Sequence, residues 1–441
     1  MLEARGWAGV ELVEADALAP ETLAAALAGI EVAYYLVHSM AAGKAFGRLD
    51  VQAADNFAAA AAKAGVKRIV YLGGLVPPDA DSEHIVSRRE TGDRLRAGPV
   101  PVTEIRAGII VGPGSAAFEV MRDLVLHLPV MVTPRWVRAK SPPIALDNLL
   151  EYLVRIAVVP EAAGMTYDAG GPELLSYEDM MRVIADVAGR RRPLVLPVPV
   201  LSPRLSSYWL ALVTAVPAPV ARALIGGLKH DFAASDAELR RLVPLRLLTF
   251  REAVETAFAA ERTHTVAARW TEGAFAMRGF RHDHAYYAKQ AGGCALANAP
   301  LAAVWRQVTS IGGDNRYYFM NGLWWLRELL DWCIGGPGFT RGRRHPTELR
   351  VGDVIDYWTV VGLEPERRLT LHFGMKAPGT GILEFELEPQ GARTRIRITA
   401  YWHPRGVWGL AYWYALVPAH RFIFKGWTRA IARRAESSRP A

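Results

Sequence analysis

At 441 residues, 51% hydrophobic and 22% charged, the chain is long enough for two or three domains with cores of their own and too apolar for intrinsic disorder. Its net charge of +8 comes without a long Lys/Arg block, which fits an anionic ligand or peripheral association with an anionic membrane surface; no nucleic-acid partner is expected. Cys294 and Cys333, the two cysteines, lack metal-ligand spacing and point to a reducing, cytoplasmic setting.

Residues 1 to about 260 alternate short apolar runs with amphipathic stretches, the pattern of a doubly wound parallel sheet. Strands are expected at Val10–Glu14, Val32–Val37, Arg68–Leu72 and Val102–Ile109. Helices are expected at Pro20–Ala28, Gln52–Ala64 and Glu83–Ala97. The uncharged run Leu205–Ala221 is broken by Pro217 and Pro219 and suits a buried or interfacial helix pair better than a membrane span. The rhythm is lost between 263 and 293, read as a linker, where the His282-Asp283-His284 triplet sits too close together to favour a metal site; no metal is expected.

From Cys294 to about residue 436 a second domain of helices and alternating strands is expected, with a short tail after it. Glu384, Glu386 and Glu388 alternate with Leu383, Phe385 and Leu387, and Arg393, Arg395 and Arg397 follow. A turn at Gln390-Gly391 would set Glu388 opposite Arg393, Glu386 opposite Arg395 and Glu384 opposite Arg397, as a solvated ladder. Arg341–His345, RGRRH, reads either as a solvated turn or as a contact for anionic headgroups.

The stretch Lys67–Arg96 carries the chemistry. A buried strand ends at Gly73-Gly74, and a helix then presents His84 and Arg88 four residues apart, on one face. This resembles the active site of the short-chain dehydrogenases, with glycine in place of serine, His84 in place of tyrosine and Arg88 in place of lysine. Val13–Leu23, Tyr34–Ser39, Arg106–Gly114, Pro143–Asn148 and Tyr167–Pro172 extend the resemblance to the atypical and extended, NmrA-like members, including the accessory dehydrogenase-like subunit of respiratory complex I. It implies NAD or NADP as cofactor, touched by Asp16, by Leu36, Val37 and His38, by Gly73 and Gly74, and by Ala107, Gly108 and Ile109. His84 would be the proton donor and Arg88 the ribose-binding cation; the alternative is that both are surface helix residues. No glycine-rich turn precedes these patches, so the chain is expected to start at the third strand of a truncated Rossmann-like fold, through an incomplete gene or a lineage that discarded cofactor binding.

The second half is similar to the helix-grip superfamily of START and polyketide-cyclase proteins, an α+β fold in which a curved sheet wraps a C-terminal helix over an apolar cavity. Leu301–Val308, Gly352–Val360, Ile398–Pro404 and Pro418–Ala435 carry that likeness. Trp324, Trp325, Trp358, Trp402 and Trp413 would line the cavity or serve as ordinary core. Two functions follow: an NAD(P)H-dependent reductase of an apolar carbonyl, enone or quinone-like small molecule, or a non-catalytic NAD(P)-binding sensor or assembly factor whose C-terminal domain holds lipid or a partner. Oligomeric state is not legible.

Overall fold

The computed structural model describes residues 10–11, 13–38, 46–77, 80, 82–198, 213–214, 230–262, 288–339, 342–343, 345 and 348–437. The chain forms two compact units, of residues 1–125 with 129–257 and of residues 126–128 with 258–441. Among the described residues no helix is long and apolar enough to cross a membrane. The run 205–221, the His282–His284 triplet, and Arg341 and Arg344 lie outside them, apart from Val213 and Thr214.

In the first unit, helix α1 (Pro20–Leu27) leads to strand β1 (Val32–Tyr35), followed by α2 (Phe46–Ala64), β2 (Arg68–Gly74), α3 (Glu83–Ala97) and β3 (Val102–Ala107). Then come β4 (Ile110–Val111), α4 (Ala116–His127), β5 (Val130–Pro134), β6 (Lys140–Ser141), β7 (Ile144–Ala145), α5 (Leu146–Ile156), β8 (Thr166–Ala169), β9 (Leu175–Ser176), α6 (Tyr177–Val187), β10 (Leu194–Val198), α7 (Ala237–Leu242) and α8 (Phe250–Arg262). Strands β1, β2, β3 and β8 make one parallel sheet in that order. Alternation along β2 divides the core in two: Ile69 and Tyr71 pack with Leu23, Phe57 and Leu95, while Val70 packs with Leu149, Leu153 and Leu239. The fold is thus a Rossmann-like α/β sheet with helices on both faces.

The strand expected at Val10–Glu14 is not there. Its described residues Val10, Glu11, Val13 and Glu14 are exposed and in no strand. An apolar alternating run becomes a strand only where a neighbour takes its backbone groups, and no described residue does so here.

The second unit is an antiparallel sheet with helices. Strand β11 (Lys289–Ala297) is followed by α9 (Leu301–Thr309), α10 (Asn321–Cys333), β12 (Val354–Ile355), β13 (Trp358–Glu364), β14 (Arg368–Phe373), β15 (Gly379–Gln390), β16 (Arg393–Pro404) and the long α11 (Gly406–Ser437). The six strands lie in the order β11-β16-β15-β14-β13-β12. Their inner face, with Leu369, Leu371, Phe385, Ile396 and Ile398, closes on Trp427 and Ile431 of α11.

Three expectations change here. The linker read to residue 293 ends sooner, because β11 starts at Lys289. Gly292 and Gly293 look like linker residues but are packing residues: a Cβ would lie 2.4 Å from Ile398 O and 2.5 Å from Phe424 O respectively. The strand expected over Gly352–Val360 is two strands, β12 and β13, with Asp356 at φ +54° in the turn between them. The Glu/Arg hairpin turns at Gly391-Ala392, pairing Gln390 with Arg393, Glu388 with Arg395, Glu386 with Arg397 and Glu384 with Thr399. Gly391, at φ +62°, supplies the positive φ of a two-residue turn one residue later than expected, so each residue of β15 pairs two residues further along β16. A shift of two keeps every side chain on its face but takes Glu384 away from Arg397.

Candidate functional site

The N-terminal candidate site forms where the start of α3 meets the end of β1 and the start of α2. Ser82 caps α3, its Oγ accepting from the Ile85 N–H at 3.3 Å. That places His84 in the first turn, half-buried, with Nδ1 out of solvent and unpartnered. Beside it His38, with its ring centroid 5.3 Å from that of His84, binds Asp50 Oδ2 through Nδ1 at 2.7 Å. Ser87 Oγ donates to the same carboxylate oxygen at 3.0 Å. Asp50 is buried on the face of α2 that also carries Ala54, Phe57, Ala58 and Ala61, at the i+4, i+7, i+8 and i+11 positions that fall on one side of a helix.

Burial, with His38 and Arg88 nearby, holds the His84 imidazole down at about 3. It is neutral at physiological pH, so it can polarise a carbonyl by donating one N–H but cannot act as an imidazolium acid. Arg88 is committed to the scaffold: its guanidinium donates to Leu72 O at 2.6 Å and lies 5.6 Å from the Tyr71 ring centroid, while the Tyr71 hydroxyl donates to Arg88 O at 2.9 Å. These bonds fasten α3 to the carboxyl end of β2.

The glycines divide into two kinds. A Cβ on Gly73 would lie 2.5 Å from Glu104 Oε1, and one on Gly92 within 3.1 Å of both Glu104 oxygens. Both make room for a buried carboxylate that pairs with Arg96 and, at 3.2 Å, with Arg106. Gly73 is therefore a packing residue where a cofactor contact was expected. Gly74, next to Ala107 in the sheet, has open space where a Cβ would stand. Gly108 is closed off by Pro142 O, which would lie 2.5 Å from a Cβ at that position, and Ile109 O accepts from the Ile144 N–H at 2.8 Å. Asp16 spends its carboxylate on the Leu18 N–H at 2.8 Å, ahead of α1. Leu36 and Val37, just past β1, are exposed.

His38, His84, Arg88 and Gly74 thus gather at the carboxyl ends of β1 and β2, where a doubly wound sheet binds its ligand. Exposed Leu36 and Val37, the open space over Gly74 and the unpartnered His84 Nδ1 fit the nicotinamide-ribose end of NAD(P)H. Asp50 and Ser87 were missed by sequence reasoning; the available signal was a carboxylate on the otherwise apolar face of α2.

Residues 2–92 match the family described as NAD(P)H-binding. The N-terminal unit contains an NAD(P)H-binding domain. Residues 284–427, in the other unit, match the family described as a protein of unknown function, DUF2867. Solved structures similar to the chain include an NADPH-dependent quinone oxidoreductase from Escherichia coli, complexed with NADPH, at 20% identity and TM-score 0.48 over 58% of this chain and 87% of that one. Another is the Citrobacter sp. triphenylmethane reductase complexed with NADP(H), at 19% identity and TM-score 0.45 over 56% and 84%. A nucleoside-diphosphate-sugar epimerase from Staphylococcus aureus stands at 13% identity and TM-score 0.47 over 56% and 85%. Among curated proteins none matches the chain.

The second unit holds an apolar cavity of about 260 Å³ between α10, α11 and the sheet. Trp324, Trp358, Trp402 and Trp413 line it; Trp325 does not, and is 48% exposed on the outer side of α10 beside Phe339. His420 lines it too, beside the polar groups of Arg327, Tyr401 and Tyr412. Burial holds its imidazole at about 4, and its Nδ1 is unpartnered, an atom that a ligand oxygen or N–H would satisfy. Arg343, from the RGRRH run, donates to Ile311 O at 2.8 Å, Thr309 O at 2.7 Å and His345 O at 2.6 Å; it clamps backbone and is no solvated cation.

Proposed function

We propose that the protein is an NAD(P)H-dependent oxidoreductase of atypical short-chain dehydrogenase type, acting on an apolar carbonyl, enone or quinone-like molecule. The observation that carries this reading is the neutral, unpartnered His84 at the carboxyl ends of β1 and β2, inside an NAD(P)H-binding domain. Bound cofactor supplies the hydride. His84 would donate a hydrogen bond to the substrate oxygen, which takes its proton from solvent water because the neutral imidazole has none to release, and the Asp50 carboxylate fixes the neighbouring His38 by the 2.7 Å bond. Arg88 keeps α3, and with it His84, against the end of β2. Gly74, with open space where a side chain would stand, would leave room for the cofactor there. The second unit, read as a helix-grip domain, retains the apolar molecule in the Trp-lined cavity, with His420 meeting its polar atom.

A non-catalytic, NAD(P)-binding sensor or assembly factor is the alternative, favoured by the engagement of Arg88 with Leu72 O, which leaves one donor fewer for ribose. The two readings separate in one experiment: NADPH oxidation followed on adding a naphthoquinone or an apolar enone. Consumption above background supports the reductase. Cofactor binding by calorimetry with no consumption supports the sensor.

A further inference from the structure

Helix α10 turns its charges inward. Glu328 is buried and accepts from Arg316 at 3.1 Å and 3.2 Å. Asp331, fully buried, accepts from the backbone N–H groups of Lys376 at 2.6 Å and Gly338 at 2.8 Å. Arg327 donates to Lys376 O at 2.9 Å and lies over the Phe373 ring. At 3.6 residues per turn these three fall on one side. Leu323, Trp325, Leu326, Leu330 and Trp332, spread over the rest of the helix circumference, are from 37% to 61% exposed. A helix on the surface of a soluble domain shows the reverse arrangement. Phe422 of α11, 57% exposed, extends the apolar surface through its contact with Phe319 at the head of α10.

Charge identifies what covers this surface. Residues 288–441 hold 21 Lys and Arg against 12 Asp and Glu, a net +9, while the rest of the chain sums to −1. At the tail of α10 the Lys376 ammonium donates to Ile334 O at 3.2 Å, and Arg405 lines the groove beside Leu330 and Ile334. Exposed Arg421 adjoins Phe422 in sequence. The only carboxylate on α11 is Glu436, at its far end. A second copy docked face to face would set these cations against each other; an anionic bilayer neutralises them.

We propose that the α10 face docks the second unit on an anionic membrane surface, with its leucines and tryptophans at the headgroup boundary and Lys376, Arg405 and Arg421 against the headgroups. Leu323, Leu326 and Leu330 also line the apolar cavity, so docking places its entrance at the acyl chains, where an apolar molecule is concentrated. The proposal stands whether or not the protein is a reductase.

Flotation of the full chain with vesicles of phosphatidylcholine alone, and of phosphatidylcholine with phosphatidylserine, tests it. Binding is expected to the anionic vesicles, weakened by salt and accompanied by a blue shift of tryptophan emission. The double substitution Leu326→Asp/Leu330→Asp, at two exposed positions, is expected to cut binding by on the order of tenfold or more. Arg405→Glu/Arg421→Glu is expected to weaken it with no change in thermal midpoint. No flotation with either vesicle overturns the proposal, as does binding unaffected by Leu326→Asp/Leu330→Asp. A dimer in sedimentation that this pair dissociates, without vesicle binding, assigns the face to a second copy instead.

Discussion

At the residue scale, His84 and Glu384 show how burial decides what a titratable group does. The spacing of His84 and Arg88 was legible in the sequence; the neutrality of His84 was not, because it depends on desolvation and on His38, which arrives from another strand end. If His84 polarises the substrate, His84→Ala should lower turnover by the order of 10²-fold expected for losing a positioned hydrogen-bond donor, with NADPH affinity measured by calorimetry little changed. Glu384 was expected in a solvated ladder. It is 2% exposed, accepts from the Tyr401 hydroxyl at 3.3 Å and stands 3.9 Å from Arg368. Burial pushes its carboxyl up to about 7, against the pull of Arg368. Between roughly pH 4.5 and 7 the folded chain therefore keeps a proton that the unfolded chain has lost, so this group makes stability fall as pH rises through that window. Fully developed above pH 7, the penalty is at most about 3 kcal/mol. Glu384→Gln should raise the denaturation midpoint at pH 8 and lose its advantage by pH 4.5, as chemical melts at the two pH values would show.

At the scale of elements, the helices and central strands follow from period and capping, and α3 has the bounds its sequence suggests. What the sequence hides is contact between distant segments. Gly73 and Gly92 are spaced by a carboxylate on β3, and Gly292 and Gly293 by the backbones of β16 and α11. Glycine pairs read locally as a strand end and a linker, since a single sequence does not show what approaches them. Gly293→Ala should destabilise the second unit by about 1–3 kcal/mol, because a methyl group meets the Phe424 carbonyl and backbone has to move. Urea melts of that variant beside Gly391→Ala, where open space surrounds the glycine but φ is +62°, would separate crowding from backbone strain. The α10 face illustrates the same limit: Leu, Trp and charged residues intermingle along NGLWWLRELLDWC, and only the fold shows that the charges face inward.

At the scale of the molecule, the βα rhythm up to about residue 260 and the alternating strands from Cys294 onward pointed to the two kinds of fold present, a parallel Rossmann-like sheet and an antiparallel sheet with a long helix. The site was legible as far as it lies on α3 and on the strand ends. Asp50, Ser87 and the His420 atom in the cavity were not, for each acquires meaning only from neighbours far away in the chain. The combination of an NAD(P)H-binding domain with an apolar cavity is what supports the proposed reduction of an apolar molecule. The most direct measurement is NADPH consumption by the purified chain with a naphthoquinone, wild type beside His84→Ala at equal cofactor saturation. Consumption by the wild type, reduced about 10²-fold in the variant, is the expected result; cofactor binding without consumption, or equal rates in the two proteins, would contradict the catalytic role given to His84.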